Sequence, residues 1–134
     1  MNKVNFKSIL LNFFIIMVIF IADRISKLYI LKIVELENSI DIYINSYLNF
    51  YLIWNKGIAF GLFSFNESTI YNIITLIIIL ITLVVLILVI KAEGLKRYSF
   101  LFVLGGSLGN LFDRIYYNAV PDFIDFHINN FHWF

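Results

Sequence analysis

Residues 68–90, STIYNIITLIIILITLVVLILVI, hold 23 consecutive positions without a charge. At ~1.5 Å per residue, a helix over this run is about 34 Å long, enough to cross a hydrocarbon core of ~30 Å. Lys91, Glu93, Lys96 and Arg97 close it. The run therefore predicts a transmembrane helix, and its surroundings repeat the pattern on both sides. The whole chain of 134 residues is 61% hydrophobic, 19% aromatic and only 14% charged, too apolar for an ordinary soluble domain.

Upstream, Lys3 and Lys7 precede a second charge-free run, residues 8–22. It starts like a signal peptide but has no small-residue cleavage site and continues directly into Asp23, Arg24 and Lys27, so it reads as a retained first span. Downstream, residues 98–112 form a third run ending at Asp113. Runs one and three each contain 15 residues, about 22 Å of helix, too short to cross alone. Both helices must therefore continue past their first charge. Started from similar depths, they bring Asp23 and Asp113 to similar depth near the outer edge of the hydrocarbon. The basic residues flanking the spans place the N-terminus in the cytoplasm.

Between spans one and two, roughly residues 33–67, lies an extracytoplasmic segment. Ile40, Ile42 and Ile44 alternate with Asp41, Tyr43 and Asn45, which favours short strands over helix, and Asn55-Lys56-Gly57 is a turn signal. The expectation is a small sheet lying on the membrane with its apolar side down. The residues after Asp113 are too charged and too broken to span. The fold class is thus a mainly α membrane protein with three transmembrane helices and a small periplasmic β-sheet, in one domain over residues 1–134.

Composition also excludes chemistries. A net charge of +1 gives no basic face, so membrane lipid is the expected neighbour and no nucleic acid is expected. Cysteine is absent, which removes disulfides and thiolate catalysis. His127 and His132 lack the HExxH spacing and show no third ligand, so neither a metal nor a cofactor is expected.

The polar residues that remain are few. Asp23 and Lys27 stand at i, i+4 with the acid first, the favourable order for an ion pair, and a supporting role is favoured over direct chemistry. Gly105, Gly106 and Gly109 suit close helix contact. Asn110 and Arg114 are again four apart. The Arg114 fork fits a neighbouring carboxylate, such as Asp113 or Asp122, as well as the carbonyls of a bound chain. Asp113, Asp122 and Asp125 form the densest acidic group. Two carboxylates held close in a poorly hydrated place share a proton, so one can act as base on water and the other as acid. A wetted acidic loop is the competing reading of the same residues.

Four ordered stretches, DRISK (23–27), NKGIAFG (55–61), GGSLGNLFDR (105–114) and VPDFIDF (120–126), resemble lipoprotein signal peptidase, also called signal peptidase II. The resemblance implies a four-helix aspartic membrane peptidase of the bacterial cytoplasmic (inner) membrane, with its active site at the periplasmic face and the expected state a monomer. It implies, as substrate, prolipoproteins carrying a diacylglyceryl-modified cysteine, cut just before that residue. By the same resemblance Asp122 is a catalytic aspartate. Asn110, Asp113 and Arg114 are polar residues around it, Asn55 and Gly57 belong to a loop closing over substrate, and Asp23 and Lys27 are a supporting pair.

Two departures accompany it. Pro121 stands where the family more often has valine. The family's second catalytic aspartate lies in an FNxAD motif leading into a fourth helix, and no such motif occurs within residues 1–134. The expectation is therefore little hydrolysis by these residues alone. A non-enzymatic lipoprotein-binding membrane protein is the alternative.

Overall fold

The computed structural model describes residues 6–38, 40–57, 68–128 and 131–132. Three helices, α1 (Phe6–Glu37), α2 (Ser68–Lys91) and α3 (Gly94–Tyr117), accompany four strands, β1 (Asp41–Asn45), β2 (Leu48–Asn55), β3 (Val120–Ile128) and β4 (Phe131–His132). The strands pair antiparallel in the order β1-β2-β3-β4.

α1 and α3 end where the sequence supplies a terminator. Asn38 and Asn118 both take left-handed backbone conformations, with φ of 61° and 55°, a geometry asparagine tolerates because its short amide bonds locally. Each delivers the chain from a helix towards a strand. The α2–α3 connection is only two residues long, and Arg97 Nε donates to the Ala92 carbonyl at 2.8 Å to close it.

α3 packs against both α1 and α2. Val89, Leu101 and Leu104 form the buried centre, with Ile15, Ile16, Val85, Phe100 and Leu108 packed around it. Gly105 explains how closely α1 approaches: a Cβ there would lie 2.8 Å from the Ile19 side chain. Gly109 sits against Asp23, whose Cγ would be 2.8 Å away, whereas Gly106 faces open space. Two of the three glycines thus make the helix contact and the third does not. Outer faces of α1 and α2 expose large apolar residues such as Phe13, Phe14, Leu80, Ile81 and Ile87. Such continuous apolar surface is fit for lipid rather than water.

α2 coincides with the charge-free run to within one residue. α1 continues to Glu37, five residues into the segment read as extracytoplasmic, which makes it about 48 Å long. α1 and α2 are long and apolar enough to cross a membrane. α3 is less apolar, since Asn110, Asp113 and Arg114 occupy its second half.

The strands expected between spans one and two form as β1 and β2. The chain after α3 adds β3, a partner that local sequence does not announce. All five β1 residues are exposed. Ile42 and Ile44 nevertheless face a cavity of about 390 Å³ shared with Tyr29, Ile30 and Ile33 of α1 and Phe123 of β3. The sheet therefore stands on the last third of α1.

Candidate active site

α1 and α3 meet at one polar point. Lys27 Nζ is 2.9 Å from Asp23 Oδ1 and 2.7 Å from Asp113 Oδ2, and donates to Asn110 Oδ1 at 2.8 Å. Arg24 Nη2 is 2.7 Å from Asp23 Oδ2, and Nη1 pairs with Asp113 Oδ1. Two cations thus bridge two acids on facing helices and the cluster is neutral. Asp113 is wholly buried, a position an unpaired carboxylate could not hold without a large desolvation cost. The expected co-location of Asp23 and Asp113 is present.

The Asp23–Lys27 pair exists, but Lys27 is buried and reaches across to the other helix. Arg24, the residue between them, was the missed member. Spacing of four picks out one helix face and skips i+1, yet a long guanidinium on the flank still reaches the same acids. The rings of Phe112 and Phe20 lie 5.0 and 6.0 Å from its Cζ, within reach of a cation–π contact.

The second part of the site is carried by the sheet. Asn55 ends β2, and Asp122 lies near the start of β3, where the antiparallel register brings the two strands together. Asn55 Nδ2 donates to Asp122 Oδ2 at 2.8 Å. Its Oδ1 accepts from the Gly57 N–H at 2.8 Å, making the turn that the Asn-Lys-Gly sequence predicts. The Gly57 carbonyl accepts in turn from Arg114 Nη2. A continuous line of hydrogen bonds therefore runs from Asp122 through Asn55 and Gly57 to Arg114.

Arg114 is buried and makes no ion pair with Asp113 or Asp122 among the described contacts. Tyr71 of α2, a second residue missed from sequence, donates its hydroxyl to the Arg114 carbonyl at 3.0 Å and lies under the guanidinium, with Cζ 5.7 Å from its ring centre. Arg114 Nε and Nη1 are buried without a hydrogen-bond partner. Residues 58–61 of the NKGIAFG stretch lie outside the described residues.

Electrostatically Asp122 differs from Asp113. Burial pushes its carboxyl above the ordinary value, and the Asp113 charge adds to this. The Asn55 hydrogen bond and the charges of Lys27 and Arg114 pull in the opposite direction. Asp122 is thus a half-buried, raised carboxylate beside a line of donors, whereas both oxygens of Asp113 are already taken by cations.

The family model described as signal peptidase (SPase) II matches residues 15–134. The chain belongs to the signal peptidase II family. A lipoprotein signal peptidase of Pelagibacter ubique is 56% identical over 134 residues, covering 100% of this chain and 81% of the relative. One from Anaplasma phagocytophilum is 40% identical over 119 residues, covering 87% and 73%. A bacterial membrane enzyme solved by the in meso method at 2.3 Å shares the fold, with a TM-score of 0.63 at 22% identity, over 90% of this chain and 72% of that one.

Within the signal peptidase II frame, Asp125 departs from the group it forms in sequence with Asp113 and Asp122. It is buried beside two histidines instead: its carboxylate is 2.9 Å from His132 Nδ1 and 3.3 Å from His127 Nδ1. A third group of ligand type, which sequence spacing does not reveal for these histidines, thus lies beside them in the fold.

Proposed function

We propose that Asp122 is the carboxylate that activates water in the family's reaction, the removal of signal peptides from prolipoproteins. The observation that carries this reading is the hydrogen-bonded line from Asp122 through Asn55 and Gly57 to Arg114. It fixes a raised carboxylate at the edge of the sheet and presents two unpartnered guanidinium N–H groups nearby. In an aspartic mechanism the ionised carboxylate takes a proton from water while the water oxygen attacks the peptide carbonyl carbon. A second, protonated carboxylate gives its proton to the carbonyl oxygen, and the C–N bond then breaks as the amine is protonated. The Arg114 fork suits the backbone carbonyls of the bound signal peptide.

The partner carboxylate is the FNxAD aspartate implied by the family resemblance. Asp113 does not fit that role, since two cations hold both its oxygens. The substrate is a diacylglyceryl-modified prolipoprotein, cut before the lipidated cysteine. Residues 1–134 form one domain with three spans, to which the family fold adds a fourth. α3 crosses as the third span because Asp113 is paired with Lys27 and Arg24 of α1 while Arg114 turns to the Gly57 carbonyl and Tyr71 of α2, leaving lipid the helix's apolar side. The N-terminus lies in the cytoplasm of a bacterium and the site at the outer face of the cytoplasmic membrane, where a monomer acts without a cofactor.

The test is cleavage of a lipid-modified prolipoprotein by the enzyme expressed from the complete reading frame. Asp122→Asn abolishes turnover while the protein still purifies as a folded species. Undiminished cleavage by that variant removes Asp122 from the chemistry.

A further inference from the structure

The cluster of Asp125, His127 and His132 takes no part in the line of contacts described for Asp122. Its three ligand atoms, a carboxylate oxygen and two imidazole nitrogens, all lie within 4.8 Å of one another. The geometry points to a divalent transition-metal site of the zinc class, built across β3 and β4.

Three features carry it. His127 and His132 are register partners, so the strand pairing itself sets their imidazoles side by side, 5.1 Å apart and nearly parallel at 28°. Both direct Nδ1 at the same carboxylate, at 3.3 and 2.9 Å. Ligands about 2.0–2.1 Å from a tetrahedral zinc ion are separated from each other by about 3.3 Å, so a cation enters this triangle with small adjustments.

The second feature is that the donors are not all satisfied. His127 Nδ1 is buried and lacks a hydrogen-bond partner, although it faces a carboxylate. A neutral imidazole nitrogen in that position is unsatisfied, and a metal ion would use its lone pair. The third is the fourth position. Asn49, the register partner of Asp125, has a buried Oδ1 without a partner. It lines, with Asp41, Tyr51, Asp125 and His132, a cavity of about 300 Å³. Two imidazoles, one carboxylate and an open or amide-filled fourth site form a borderline N/O donor set suited to zinc rather than calcium or magnesium. A bound ion would tie the two-residue β4 to β3, independently of the catalytic reading above.

The experiment uses the full chain purified in detergent and stripped with a chelator. Titration with Zn²⁺ gives one equivalent bound, and Co²⁺ gives the intense visible bands of a tetrahedral site. His132→Gln and His127→Gln each weaken Zn²⁺ at least tenfold and lose the Co²⁺ bands. Zn²⁺ raises the thermal midpoint of the parent and not of the variants. His132 has a half-exposed side chain, so its variant stays folded if His127→Gln does not. Absence of stoichiometric binding, or binding unchanged in the His132 variant, overturns the site and leaves a structural Asp125–histidine cluster.

Discussion

Asn55 touches Asp122 with one end of its amide and the Gly57 backbone with the other, 2.8 Å in each direction. One side chain therefore both opposes the burial that raises the candidate catalytic carboxylate and holds the turn at Gly57. The Nδ2–H donor stabilises the ionised carboxylate against the burial that disfavours it.

Asn55→Ala removes this donor, so the Asp122 carboxyl rises further. The acidic limb of the pH–rate profile for prolipoprotein cleavage moves to higher pH, and kcat falls about tenfold. Asn55→Asp retains an acceptor for the Gly57 N–H but replaces the donor with a charge, and shifts the limb in the same direction. An acidic limb unmoved in Asn55→Asp would reduce Asn55 to a turn former.

Asp122→Asn has a stability signature opposite to that of most buried-site variants. Because burial raises the folded-state carboxyl above its ordinary value of 3.8, the folded protein binds this proton more tightly than the unfolded chain. This residue's contribution to stability therefore declines as pH rises from about 3.8 through the raised folded value. The neutral amide avoids that decline. The thermal midpoint of Asp122→Asn equals or exceeds the parent's at pH 7, and the difference vanishes in acid. A variant markedly less stable at pH 7 contradicts this.

Removing one partner from the neutral cluster leaves a buried charge exposed to low dielectric. Lys27→Met costs about 3–5 kcal/mol because Asp113 keeps only Arg24. The double variant Lys27→Met/Asp113→Leu is less destabilised than the sum of the single changes, because the Asp23–Arg24 pair survives by itself. Thermal unfolding in micelles measures the cycle, and strict additivity would mean that the two side chains are not coupled.

The glycines of α3 separate by face. Gly109→Ala drives its methyl into Asp23, a contact that must be relieved by shifting the ion-pair cluster or the helix. A cost on the order of 1–3 kcal/mol and a fall in activity follow. Gly106→Ala meets nothing within 4 Å, and the better helix former leaves stability equal or higher. Equal responses from the two positions would contradict the packing described.

What sequence disclosed and what it hid follow from range. α2 was legible because a charge-free run of that length has one economical structure in lipid. Asp23 and Asp113 were placed together by helix rise alone, and the Asn55–Gly57 turn by local amide chemistry. Arg24 was hidden because helix periodicity points it off the face of Asp23 and Lys27, although its length brings it back. Tyr71 was hidden because its contact with Arg114 spans two helices. β3 pairs with a strand some 70 residues earlier, and no local pattern specifies that register. The meeting of Asp125 with both histidines depends instead on the short pairing of β3 with β4, which sets His132 opposite His127. Gly105 and Gly106 are adjacent and chemically identical, yet only the packing of α1 tells them apart.

The 32-residue α1 is about 48 Å long, while a hydrocarbon core is ~30 Å thick. With α1 as a span, its surplus turns would hold the sheet, and with it Asp122, at a set elevation. Under the proposed function α1 would be a ruler: which bond of a threaded leader meets Asp122 would be set by height above the bilayer as well as by the residues flanking the cut. Shortening the helix by a turn, about 5.4 Å, would change the address of the cut before it changed the chemistry.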